Sequence, residues 1–336
     1  MRPSFNPRLV NGPAGDPGLF IPLTYQGRAI LFDLGDISAL SPRDVLKINH
    51  VFISHAHMDH FAGFERLLRL FVGRNKHLHL YGPRGIIQNV EGKLAGYTWN
   101  LVENYEDCLI LVVTELDTGR LRTGRYRCKD AFRRSGRLES RRYDGVLHEE
   151  AALTVSAVLL DHGIPCLGFS LKEHFHVNIR KDRLNKLGLR PGPWLQGFKQ
   201  AIFDRQPPHT AIDADRLGGP EKKRFTLGAL AKEIALITPG QKISYIVDVG
   251  YSESNADKAV TLAEASDHLF IEAAFLDQHA EIARTKNHLT ARQAGSIAAR
   301  ARVRQMTPFH FSPRYAGRED LLQAEAQAAF KATEDR

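Results

Sequence analysis

The run Ile48–His60, INHVFISHAHMDH, constrains the fold more than any other stretch of this chain. Its first half is an apolar strand, and its second half sets His55, His57, Asp59 and His60 into one turn. Histidine and carboxylate groups are the ligands of zinc and similar divalent ions. Here they fall at i, i+2, i+4 and i+5. Extended spacing puts His55 and His57 on one side of the loop, and a chain turning into a helix aims Asp59 and His60 elsewhere. One short segment can therefore serve two metals, which lie about 3.5–4 Å apart in two-metal sites. Each metal still needs ligands from other strand ends, together with a carboxylate able to bridge the pair.

The same rhythm of strand followed by polar residue recurs along the chain. GRAILFDLGD (Gly27–Asp36) reads as a strand into an acidic turn, and FERLLRLF (Phe64–Phe71) as a helix by its apolar spacing. HLHLYGP, LTVSAVLLDHG, KISYIVDVG, DHLFIEAAF and RQMTPFHFSPRY read as further strands. TARQAGSIAARAR and the tail from Glu319 to Ala332 read as helices. Strand and helix alternate throughout, so the class is α/β, and 336 residues fit one large domain spanning 1–336. Sites in such folds tend to lie on loops held by a rigid sheet. His50, His77, His79, His148, His174, His176, His209, His268 and His279 have no partners by spacing. They are expected to be ordinary surface or core histidines.

Two segments break the rhythm. Gly119–Gly145 holds ten Arg/Lys against three Asp/Glu, while the rest of the chain is nearly balanced at 36 to 35. Almost all of the +8 net charge thus sits in one basic, insertion-like segment (119–145), which suits an anionic partner. The second, 172–210, contains LGLRPGPWLQGFKQ. Its Gly and Pro content predicts an arm or extended loop rather than a long regular element. Three cysteines, Cys108, Cys128 and Cys166, form no C-x-x-C pair and fit a reducing cytoplasm. The first residues carry no signal-like apolar region, and no stretch is apolar for the ~18 residues a membrane span requires. A cytoplasmic protein with no membrane attachment is the expectation.

SHAHMDH resembles the H-x-H-x-D-H signature of the metallo-β-lactamase fold. Within that superfamily the order of further motifs resembles ribonuclease Z, the tRNA 3′-processing endonuclease. ILFDLGD resembles the strand and acidic turn before the signature, and HGIPCLGFSL (His162–Leu171) the third motif. LGLRPGPWLQGFK resembles the Gly-Pro motif of the family's RNA-binding arm, and PGQKISYIVDVG occupies the place of the bridging-aspartate strand. IEAAF, NHLTAR and FHFSPRY resemble the closing motifs, with His288 and His310 separated by 22 residues.

The resemblance implies an αββα sandwich with an inserted arm. It implies one metal held by His55, His57 and His162, a second by Asp59, His60 and His310, and Asp248 bridging both. The ions would be two divalent cations, zinc first, with manganese or iron(II) accepted by the same donor types. Asp33 would hydrogen-bond a ligand histidine and fix its tautomer, and Glu272 would sit at the edge of the site. Asp59 and His288 would serve as proton acceptor and general acid. The resemblance also implies RNA contact by Gly192 and Pro193 of the arm and a homodimer; the charge of the basic segment, independently, predicts phosphate contacts from Arg133, Arg134, Arg141 and Arg142.

The implied function is a metal-dependent phosphodiesterase: an endoribonuclease that removes the 3′ trailer of precursor tRNA by attack of metal-bound hydroxide. A small-molecule hydrolase of the same fold, acting on a cyclic nucleotide, ester or lactone, is the alternative. A non-catalytic RNA-binding protein is the second.

Overall fold

The structure is a computed structural model and describes residues 4–24, 26–106 and 108–332. Two sheets face each other and carry helices on their outer sides. The first contains β1 (Arg8–Leu9), β2 (Leu19–Pro22), β3 (Ala29–Phe32), β4 (Ile48–Phe52), β5 (Lys76–Pro83), β6 (Leu109–Asp117), β7 (Arg120–Arg127) and β8 (Glu139–Arg142), in that order. Strands β3 to β6 are parallel, and both margins are antiparallel. Next along the chain come β9 (Val146–Glu149), β10 (Leu153–Asp161) and β11 (Pro165–Glu173). They join β16 (Lys242–Ile246), β17 (His268–Glu272) and β18 (Met306–Phe309) in a second sheet of order 18-17-16-11-10-9.

Three apolar layers hold this stack together. Between the sheets lie Phe32, Phe52, Leu121, Phe169, Tyr245 and Phe309. Outside the first sheet, the helix Phe64–Phe71 buries Phe64, Leu67, Leu68 and Phe71, the i, i+3, i+4, i+7 face its sequence displays. Outside the second, the helix Ala291–Arg300 begins in a capping box between Thr290 and Gln293. Its small face, Ala291, Ala294, Gly295 and Ala298, packs closely with the helix Glu319–Lys331. This is the αββα sandwich expected.

The arm is longer than 172–210. It leaves the second sheet at β12 (Phe175–Ile179) and returns at β15 (Ala235–Pro239), which pairs antiparallel with β12. Between them lie the helices Lys181–Lys186, Trp194–Phe203 and Leu227–Ile234 and the hairpin β13 (Ala211–Asp215) and β14 (Lys222–Thr226). The arm has its own core of Leu184, Leu189, Phe198, Leu230 and Ile234. Its Gly-Pro stretch leads into a regular ten-residue helix, contrary to expectation.

The basic segment is not an appended loop. Strands β7 and β8 complete the first sheet. Leu121 enters the inter-sheet core, whereas Tyr126, of opposite parity, enters the outer one. This leaves Arg120, Arg125 and Arg127 exposed.

Candidate metal centre

All seven expected ligands meet at strand C-termini. Ser54–His60 follows β4, His162 follows β10, Asp248 follows β16 and His310 follows β18. Asp248 stands at the centre. Its Oδ2 lies 3.4 Å from His55 Nε2, 3.3 Å from His60 Nε2 and 3.5 Å from His162 Nε2, and its Oδ1 lies 2.7 Å from His310 Nε2. Ligand atoms of His55, His57, His162 and Asp248 fall within 4.8 Å of one another, and so do those of Asp59, His60 and His310.

These approaches are not hydrogen bonds. His55 Nε2, His60 Nε2 and Asp248 Oδ1 are all buried without a hydrogen-bond partner. A buried polar atom left unpaired costs about 1–3 kcal/mol. Three such atoms sharing one space, with lone pairs directed inward, fit divalent cations as their partner.

Asp33 organises the centre from behind. It is fully buried, and its carboxylate accepts four hydrogen bonds. Ser54 N donates to Oδ1 at 2.6 Å, and Ser54 Oγ, His60 Nδ1 and Tyr245 Oη donate to Oδ2 at 2.8, 2.9 and 2.9 Å. With its Nδ1 held by Asp33, His60 has its Nε2 turned toward Asp248. His162 is set in the same way, its Nδ1 donating to Asn287 O at 2.7 Å. Asp33, Asp248 and His310 have φ of 56°, 49° and 57°. Left-handed backbone at non-glycine residues costs of order 1–3 kcal/mol and persists only where its surroundings enforce it.

The turn after Asp33 also fixes the ligand loop. Leu34 N donates to His60 O and Gly63 N to Leu34 O, both at 2.9 Å. Gly35 lies so close beneath the loop that a Cβ there would stand 2.3 Å from Asp59 O.

Glu272, fully buried, joins two parts of the site. Its Oε1 accepts from Val249 N at 2.7 Å, next to Asp248, and its Oε2 accepts from His288 Nδ1 at 2.8 Å. Burial works against charge on His288, but the Glu272 carboxylate outweighs it and raises the imidazole to about 9. Burial and the neighbouring imidazole of His60 push His55 down to about 2, which keeps it neutral and able to bind a cation. Burial opposes the Asp248 charge as well, yet His310 and His60 hold its carboxyl well below the usual range.

The Beta-lactamase superfamily domain matches residues 32–120, which include Asp33 and the His55–His60 loop. Ribonuclease Z of Deinococcus radiodurans is 30% identical over 308 residues, covering 90% of this chain and 88% of the relative. The chain belongs to the ribonuclease Z family. Ribonuclease Z of Anoxybacillus flavithermus is 32% identical over 319 residues, covering 92% of this chain and 85% of the relative. The crystal structure of the short form of human tRNase Z shares the fold, with a TM-score of 0.52 at 18% identity, over 93% of this chain and 92% of that one. The protein is accordingly a metal-dependent hydrolase of the ribonuclease Z family.

The structure separates the arginines singled out in this ribonuclease Z family chain. Arg142 pairs across the ladder with Arg120, and Arg141 with Leu121, at the end of the first sheet where β4 delivers His55. Arg133 and Arg134 follow the opposite end of β7, where Arg134 approaches Glu91 at 3.4 Å. They do not form one patch. Gly192 and Pro193 lie on the arm, at the start of its Trp194–Phe203 helix. Sequence reading missed Ser54, Tyr245 and Asn287. Ser54 lies beside the signature and could have been suspected, but nothing local marks a tyrosine or a backbone carbonyl so distant in sequence.

Proposed function

We propose that this protein is an endoribonuclease that removes the 3′ trailer of precursor tRNA, working with two divalent ions, zinc first among them. The observation that carries this reading is the gathering of six donor residues round a seventh, Asp248, in a chain of this family. His55, His57 and His162 would hold one ion, Asp59, His60 and His310 the other, and Asp248 would bridge them. When bound, the ions acidify a water and offset phosphate charge.

The remaining steps belong to the chain. Asp59, whose side chain is 44% exposed at the rim, accepts the proton that the attacking water gives up. The P–O3′ bond breaks, and His288 hands the Nε2 proton to the departing O3′, its Nδ1 being held by Glu272. The products are a 3′-hydroxyl and a 5′-phosphate. The arm around Gly192 and Pro193, with Arg141 and Arg142, grips RNA phosphates, while Arg133 and Arg134 face elsewhere. The protein works as a cytoplasmic homodimer. No described helix is long and apolar enough to cross a membrane.

The test runs metal-replete protein in parallel on a precursor tRNA and on bis(p-nitrophenyl) phosphate. Cleavage of both supports the reading. Cleavage of the small ester alone favours a small-molecule hydrolase, and cleavage of neither removes the enzyme.

A further inference from the structure

A second group of metal-ligating side chains lies between the two sheets, away from the Asp248 centre. His50 projects from β4 of the first sheet, beside His79 of β5, its direct ladder partner. His148 projects from β9 of the second sheet, and its ring centroid is 4.1 Å from that of His50. Glu150 follows β9, with Oε1 2.9 Å from His148 Nε2. Ligand atoms of His50, His148 and Glu150 all fall within 4.8 Å of one another.

One member is unfinished. His50 is 5% exposed, and its Nδ1 is buried without a hydrogen-bond partner. The other two are already oriented by neighbours. Tyr81 Oη lies 3.1 Å from His148 Nδ1, which leaves Nε2 to the cluster. Arg28 holds Glu150 through both carboxylate oxygens, with Nη1 2.6 Å from Oε1 and Nη2 on Oε2. Two imidazoles and a carboxylate, the His148 ring and the Glu150 carboxylate supported from outside, form a donor set of zinc type.

We propose that His50, His148 and Glu150 bind one divalent transition-metal ion of the zinc class, separate from the catalytic ions, which ties β4 to β9 across the sandwich. The ion takes the place of the His148–Glu150 hydrogen bond and supplies the partner that His50 Nδ1 lacks. Metal binding requires neutral imidazoles. Deep burial between the sheets disfavours a charged imidazole at His50 and so suits it to this role. Arg28 already neutralises Glu150, which makes this site weaker than the Asp248 centre and the first to empty on dialysis.

The experiment is equilibrium dialysis of the full chain against micromolar zinc, comparing wild type with His50→Phe and His148→Gln. Each variant is expected to hold one zinc fewer than wild type while hydrolysing bis(p-nitrophenyl) phosphate at the wild-type rate. Equal zinc content in all three proteins would overturn the proposal. Should the variants fail to fold, anomalous scattering from zinc-loaded wild-type crystals reads the same point. A peak between His50 and His148 supports the site, and scattering confined to the Asp248 centre overturns it.

Discussion

The Glu272 carboxylate accepts a hydrogen bond from His288 Nδ1 at 2.8 Å and so holds a proton on the ring beside the Asp248 centre. A general acid works only while protonated, so cleavage should fall as pH rises through the His288 pKa. That pKa is raised to about 9 by Glu272 against the opposing effect of burial. Bound cations nearby lower it, so the alkaline limb is expected at or below that value. Glu272→Gln removes the negative charge that stabilises the imidazolium, and the limb should move to lower pH. A pH–rate profile unchanged by that substitution would remove His288 from this role.

His288→Ala should reduce turnover by about 10²–10⁴-fold, the range for loss of a general acid. Metal content should be unchanged, because the other seven donors suffice. Metal loss in the purified variant would show that His288 is itself a ligand.

Asp33→Asn keeps the side-chain shape but turns an amide towards groups that donate to Asp33 now. Ser54, His60 and Tyr245 all lose part of that acceptor. Metal affinity should drop by about 10–100-fold, as is typical when the partner of a ligand histidine is lost. Competition with a chromogenic chelator measures it, and an unchanged dissociation constant would contradict the account.

Gly35→Ala should destabilise by about 1–3 kcal/mol or more, since the added Cβ meets a backbone carbonyl at 2.3 Å that cannot swing aside. Gly92→Ala is the control: it is helical, exposed and has nothing within 4 Å of an added Cβ. It should stabilise by up to about 1 kcal/mol. Urea unfolding midpoints for the two variants should move in opposite directions.

Replacing Arg141 and Arg142 with Ser should flatten the salt dependence of RNA binding by up to about 1.4 in log–log slope, near 0.7 per phosphate contact. Replacing Arg133 and Arg134 should leave the slope almost unchanged, because they follow the far end of β7. Equal effects of the two pairs would contradict this placement.

The site was largely legible because its pieces are local. Each ligand follows a short apolar run, and four of them share one turn, so sequence spacing reports geometry directly. The arm's far boundary was not, since it depends on β12 pairing with β15 across the whole intervening segment. The basic segment misled for another reason. Leu121 and Tyr126 are buried on opposite faces of β7, which hides the simple alternation of a strand. His50, His148 and Glu150 come together only when the two sheets stack, and no sequence spacing encodes that.

The most direct test of the central claim is the chemistry of the ends produced from a precursor tRNA. Wild-type protein is expected to make one cut at the start of the 3′ trailer, leaving a 3′-hydroxyl and a 5′-phosphate, while Asp248→Asn makes none. A 2′,3′-cyclic phosphate with a 5′-hydroxyl, or a ladder of shortened trailers, would contradict water attack at a single internal bond.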